Sequence, residues 1–197
     1  MHLAMNPDTL EPPVIAAGKK VILRDRLPSD VESALRWRTT GEWRFFDAPW
    51  EGVETSLRSE QEAEFRQHFL EKCGEELPNP RKSALIITNL DYPIGWVTRY
   101  GENRFPDCWM VGIDICEDEF LEKGLGQEAL RLWVGYLFAN SIVHRIGLDT
   151  WSFNRRMVRV AEKVGFLYEG AQRQMIQWQG EWLDLIHFGM TRSEWEA

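Results

Sequence analysis

Two glycines and a lysine within LEKGLGQEA, residues 121–129, are the first residues whose type and spacing suggest chemistry. A strand, a short glycine loop and then a helix present free backbone N–H groups to a phosphate, and the helix dipole favours negative charge there. Glycine lets the chain approach such a ligand closely, and Lys123 adds a fixed cation. The same glycines also serve as an ordinary turn before a helix, and this stretch alone does not separate the two uses. GLGQEA further matches the dinucleotide pattern G-x-G-x-x-A, with Asp149 about 20 residues on. That pattern needs its first glycine directly after a strand, whereas the charged run EDEFLEK, residues 117–123, intervenes. Too little chain follows Asp149 for a doubly wound nucleotide domain. A Walker loop is excluded, because Gln127 and Glu128 stand where it has Lys and Ser or Thr.

Other reactive residue types are scattered. His68 and His187 show no ligand spacing with any Cys or carboxylate, so no metal is predicted. His144 reads as structural. No G-x-S-x-G or Cys–His arrangement recommends a covalent nucleophile. Cys73, Cys108 and Cys116 are an odd number without a C-x-x-C pattern, which fits a reducing compartment.

The elements that must hold the glycine loop follow from periodicity. Residues 20–26 read as a strand, and Pro28, Ser29 and Asp30 open a helix to about Thr40. Residues 41–58 are irregular and aromatic. Ser59 and Glu62 form a capping box for a helix to about Cys73. Residues 83–89 and 93–100 read as a hairpin, and 108–116 as a further strand. A helix over 124–139 carries Leu125, Ala129, Leu132, Trp133, Tyr136 and Leu137 on one face. Residues 144–150 form a strand, Asn154 caps a helix ending near Gly165, and two strands over 167–178 and 181–190 meet at Gln179–Gly180. The fold class is mixed α/β. An extended arm over 1–18, marked by Pro7, Pro12 and Pro13, precedes a single domain over 19–197.

The composition sets limits on partners. The chain has 197 residues and a net charge of −8. That balance argues against a nucleic-acid binder, which needs basic surface to displace counterions. No apolar stretch is long enough for a membrane span, and the first eighteen residues do not read as a signal peptide. The protein is therefore expected in the cytoplasm. Ten tryptophans are more than one core of this size easily holds, so several belong in clefts or at interfaces.

GIDICEDEF, EKGLGQEALRLWVGYLF, HRIGLDTWSFN, VAEKVGF and YEG occur in that order. With these motifs the sequence resembles the GNAT acetyltransferases of the RimJ/RimL and spermidine-acetyltransferase type. The resemblance is strongest over roughly 108–190. It implies a central, mostly antiparallel mixed sheet flanked by helices, acetyl-CoA as acyl donor, and an amine as acceptor. It also implies a strand that splays from its neighbour, with Ile113, Asp114 and Ile115 along the pantetheine and an N–H polarising the thioester oxygen. The pyrophosphate loop maps onto Leu121, Glu122, Lys123, Gly124, Leu125, Gly126 and Gln127. Asn154 and Lys163 match further cofactor contacts.

The sequence departs from the family pattern at three places. Leu121 and Glu122 replace the usual start of the loop, and a carboxylate beside a pyrophosphate is unfavourable unless it points outward or pairs with Lys123. Ala161 and Met157 stand where relatives place the Tyr or Ser that protonates the departing thiolate. Tyr168, close in sequence, or an ordered water is left for that role. Asp114, Glu42, Asp184 or a water chain could accept the amine's proton, and Asp114 is the first choice.

Trp37, Trp43, Phe46, Trp96, Trp178 and Trp182 are candidates to line an acceptor site beside Asp184. With Glu42, Asp47 and Glu181 nearby, the aromatic faces would suit an ammonium group. The expectation is an acetyl-CoA-dependent N-acetyltransferase acting on a primary amine: a protein N-terminus, a polyamine or an amine-bearing small molecule. A homodimer is compatible with it. The alternatives are an acyl-CoA-binding protein with weak or lost catalysis and a dinucleotide-dependent enzyme.

Overall fold

Val14–Ala17 (β1), Val21–Arg24 (β2), Ser83–Thr88 (β3), Pro93–Tyr100 (β4), Cys108–Ile115 (β5), Arg145–Trp151 (β6), Leu167–Trp178 (β7) and Glu181–Thr191 (β8) form one sheet. Its order is β1-β2-β3-β4-β5-β6-β8-β7. The structure is a computed structural model and describes residues 14–73, 75, 77–101 and 105–197. Most of the arm expected over 1–18 lies outside these residues. Its last part does not: Val14–Ala17 pairs antiparallel with β2 at the sheet edge, where Val14, Ile15, Ala16 and Ala17 supply an apolar run.

Among the described residues five helices accompany the sheet: Val31–Trp37 (α1), Ser59–Cys73 (α2), Leu125–Ala139 (α3), Arg155–Val164 (α4) and Arg192–Glu196 (α5). α3 buries Leu125, Ala129, Leu130, Trp133, Val134 and Leu137, one stripe at helical spacing. That stripe and α4's Ala161 and Val164 join the main core with Val97, Val111, Ile146 and Leu148. The Trp133 indole N–H donates to the carbonyl of Thr98 at 3.0 Å, so the largest core side chain leaves no polar atom unpaired. α1 lies on the opposite face, where Trp37 packs with Leu85, Ile87 and Cys116. α1 is shorter than the spacing predicts, because Pro28–Asp30 forms a separate 3-10 turn. α5 was not expected, although Thr191 and Glu194 make a reciprocal capping box that the sequence displays.

The decisive irregularity is at β5. It pairs with β4 from Met110 to Ile115, but with β6, its one parallel neighbour, only from Cys108 to Met110. β6 continues to Trp151 with its other edge on β8. The two strands therefore part after Met110, and their facing backbone groups are left for something other than the sheet. Cys116 donates its N–H to Ile94 on β4. Strand alternation then turns the backbone N–H groups of Ile113 and Ile115 toward the opening.

Candidate functional site

α3 starts beside this opening. Gly124 is its N-cap at φ +78°, a left-handed conformation that a glycine adopts without strain. The first intrahelical bond here runs from Glu128 N–H to Gly124 O at 3.2 Å. The amides of Leu125, Gly126 and Gln127 therefore lie ahead of the helical ladder and are free to meet an anion. Gly126 packs closely against β5: a Cβ there would lie 3.4 Å from Cγ1 of Ile115. Helix start and parted strand thus form two sides of one cavity of about 350 Å³, lined by Ile113, Asp114, Ile115, Leu121, Glu122, Gly124–Gln127, Asn154 and Lys163.

The third side is α4. Asn154 caps it, its side-chain oxygen accepting the Met157 N–H at 3.1 Å, which leaves the carboxamide N–H donors for a ligand. Arg156, Arg159 and Lys163 line the same cavity. Their spacing of three and four residues puts them on one helix face. Arg156 and Arg159 were missed in the sequence, although that spacing was the available signal. Lys123 does not line the cavity, its ammonium lying 5.4 Å from the centre of the Phe120 ring, and the cations that line it among the described residues are those of α4.

Glu122 does not pair with Lys123. Its carboxylate lies 3.7 Å from Arg156 Nε, and Arg156 also binds Glu42 at 2.8 Å above the Phe46 ring. Glu122 further sits at φ +60°, where a non-glycine residue is strained. Glu122→Gly should remove that strain, remove a negative charge and leave Arg156 to the donor. Acetyl-CoA affinity measured by calorimetry is expected to rise about 2–5-fold. Unchanged affinity would reject the argument.

A second cavity of about 440 Å³ adjoins the first and shares Trp43, Phe46, Ile113, Asp114, Asn154 and Met157 with it. Its remaining walls include Asp47, Trp96, Thr98, Tyr100, Asp149 and Trp151. Three carboxylates and no Lys or Arg face it among the described residues. Burial, and secondarily the neighbouring Asp47, push the Asp114 carboxyl up to about 7, against a smaller opposing effect of the Trp96 indole N–H. Burial, Asp149 and Asp47 raise the Tyr100 hydroxyl.

Other sequence candidates lie elsewhere. Trp43 and Trp96 meet edge-on at 4.9 Å in the wall of the second cavity. Trp37 is buried behind them and spends its N–H on Glu117 at 2.7 Å. Trp178 packs on Phe153 and lines neither cavity. Asp184 also lines neither: its carboxylate accepts the Gln174 N–H at 2.8 Å and pins an irregularity in β7. Tyr168 is exposed on β7 with its ring edge on Phe188, away from both cavities. No group of His, Cys, Asp and Glu among the described residues could hold a metal. No helix among them is long and apolar enough to cross a membrane.

A mostly antiparallel sheet that parts beside its parallel pair, with a glycine helix start at the opening, is the arrangement that the motif resemblance implies. The chain belongs to the GNAT acetyltransferases, for the Acetyltransferase (GNAT) domain model matches residues 20–167. Enzymes of this family use acetyl-CoA. The uncharacterized N-acetyltransferase YokL of a Bacillus subtilis prophage is 35% identical over 74 residues, 38% of this chain. The match covers 42% of YokL, so the chain spans less than half of that relative. A GNAT-family acetyltransferase from Bacillus anthracis shares the fold at TM-score 0.69 and 20% identity, over 90% of this chain and 98% of that one. The Vibrio cholerae spermidine N-acetyltransferase, solved with CoA and spermine, superposes at TM-score 0.67 and 18% identity, over 90% and 98%. The dinucleotide alternative is overturned by the family match. The antiparallel sheet agrees, and Asp149 faces the second cavity instead of a ribose.

Proposed function

We propose that the protein transfers an acetyl group from acetyl-CoA to a primary amine by direct attack. The observation that carries this reading is the pair of adjoining cavities at the parted strands. One is walled by amides and cations suited to pyrophosphate, the other by carboxylates and indoles suited to an ammonium. The free amine attacks the thioester carbon, the C–N bond forms, and the C–S bond breaks to release the CoA thiolate. The Ile113 or Ile115 N–H stabilises the oxyanion. Asp114 takes the proton that the ammonium must lose before attack. Ala161 is fully buried in the core and carries no donor, so the proton that the nitrogen still holds after the C–N bond forms passes through water to the departing thiolate.

The acidic cavity favours acceptors that arrive as cations, which covers polyamines, peptide N-termini and amine-bearing small molecules alike. The missing Tyr and Ser donors at Ala161 and Met157 favour, as a second reading, an acyl-CoA binder with weak catalysis. A thermal-shift panel of acetyl-CoA, CoA, NAD and NADP tests the donor. At about 100 times its Kd, acetyl-CoA should add roughly 2.7 kcal/mol of stability. Stabilisation by NAD and not by CoA would reject the donor assignment. Thiol release with an amine library then separates transferase from binder.

A further inference from the structure

A third cavity, of about 520 Å³, lies between α2 and the sheet on the face that carries Trp37, and none of the acetyl-transfer steps draws on it. Its walls are mostly apolar: Phe65 and Phe69 of α2, Leu77, and the Trp43 and Trp96 indoles that it shares with the second cavity. Arg26 lines it too, half-buried, with its guanidinium 5.4 Å over the centre of the Phe69 ring. No carboxylate among the described residues pairs with Arg26. The neighbouring charges are answered: Arg81 holds Asp25, Arg38 binds Glu54, Lys72 binds Glu75, and Lys82 also has a partner. A guanidinium without a counter-charge at the wall of an apolar cavity favours an anion that reaches it from inside.

Strand register ties this cavity to the second one. Gly112 of β5 pairs with Thr98 of β4, and Thr98 pairs with Ser83 of β3. Directly opposed residues share a face, so these three form one row across the sheet. Gly112 lines the second cavity, Ser83 the third, and Thr98 both. Arg24 of β2 pairs with Leu85, so Arg26, two residues on, comes level with Ser83. The adjacent row is Leu85, Trp96 and Asp114. Asp114 and Arg26 therefore stand at opposite ends of two neighbouring rows. Three strand spacings of about 4.8 Å, roughly 14 Å in all, separate the β5 and β2 backbones, and the end side chains leave roughly 10 Å of it to a ligand. In the second cavity Asp149 is engaged by His187, Oδ1 to Nδ1 at 2.7 Å, so Asp114 marks the reacting end.

We infer that the acceptor is an amino carboxylate, a primary amine with an apolar middle and an anionic far end, and that Arg26 is the specificity residue for that anion. This rests on the acceptor reading of the second cavity. The ammonium end meets Asp114, the apolar middle passes Trp43, Trp96 and Thr98, the residues common to both cavities, and the carboxylate meets Arg26. Opposite charges on the ligand thus match an acidic cavity at one end and an unpaired guanidinium at the other.

Calorimetric binding to the CoA-loaded protein tests this without requiring turnover. The probes are ω-aminooctanoic acid, n-octylamine, which lacks the carboxylate, and octanoic acid, which lacks the amine. The wild type should bind ω-aminooctanoate about 10-fold tighter than either of the others, as a hydrogen-bonded charge contact does. Arg26→Gln keeps a planar group over Phe69 and removes the charge. It should bring ω-aminooctanoate down to the level of n-octylamine and leave n-octylamine itself unchanged. Arg26→Lys should restore part of the preference, which a merely structural role for Arg26 would not produce. Equal binding of ω-aminooctanoate and n-octylamine would overturn the inference and leave the acceptor reading in place. No binding of either amine, a preference that survives Arg26→Gln, or identical behaviour of the two variants would overturn it as well. So would octanoate bound as tightly as ω-aminooctanoate, which would make the third cavity an anion site independent of the acceptor. A retained preference without thiol release from acetyl-CoA would instead reject acetyl transfer and leave Arg26 standing as the anion contact.

Discussion

Asp114→Asn is expected to slow acetyl transfer by about 10²–10⁴-fold, the usual cost of losing a general base, and at the same time to make the protein harder to melt. The two effects share one cause. Burial, reinforced by Asp47, lifts the carboxyl to about 7. As a base it is competent only when ionised, so kcat should rise with pH through about 7 and then level. The variant's residual rate should lack that limb. For stability the direction is opposite. The folded protein holds a proton on Asp114 that the unfolded chain has already lost, from the usual carboxylate range up to about pH 7. Stability from this group therefore falls as pH rises through that window, and above it the buried charge costs the fold on the order of 1–3 kcal/mol. Asparagine does not ionise, so the Tm advantage of the variant should be small at pH 5 and reach roughly 3–9 °C at pH 8.5. An unchanged kcat would remove Asp114 from the chemistry. A Tm difference that does not grow with pH would contradict the burial argument.

Asp30→Ala should have the largest effect on folding. Arg24 and Asp30 are 2% and 3% exposed, with Nη1 and Nη2 donating to the two carboxylate oxygens at 2.6 and 2.8 Å. Asp30 also accepts the Leu27 N–H at 2.7 Å, which closes the 3-10 turn leading into α1. Removing the carboxylate leaves a guanidinium buried without its counter-charge, at a cost of about 3–5 kcal/mol. For a chain of this length that lowers Tm by roughly 6–20 °C. The double variant Arg24→Met, Asp30→Leu removes both charges and should recover most of the loss, because a buried pair replaced by apolar groups is often close to neutral. A double variant as unstable as Asp30→Ala would mean that the turn, not the charge, carries the effect. The pair matters to the site because α1 follows directly. α1's Trp37 and Arg36 both bind Glu117, just beyond the end of β5, behind the Trp43–Trp96 wall.

Much of this was legible in the chain. The elements from β3 to β8 were placed within a residue or so, because strand alternation, the Gly124 and Gly165 ends and the Asn154 cap all act within a few residues. The glycine loop and the identity of Asn154 belong to the same short-range grammar. Where the reading failed, the deciding contact was distant. Asp184 alternates as a strand residue should, but whether it faces a cavity or pins Gln174 depends on an irregularity in the partner strand. Trp37 and Trp43 look alike in sequence. One is buried on Glu117, the other walls both cavities, and only the packing of α1 distinguishes them.

By itself, then, the sequence determined the element order, the helix start that meets a phosphate, and the family, since these rest on contiguous motifs and local backbone preference. The tertiary structure decided where β5 leaves β6, that Arg156 is shared between Glu42 and Glu122, that His187 holds Asp149, and that Asp114 titrates near neutrality. Strand partnership, ion pairing across the chain and desolvation are all set by which residues meet in space. No local pattern encodes them, because each depends on surfaces contributed by segments far apart in the sequence.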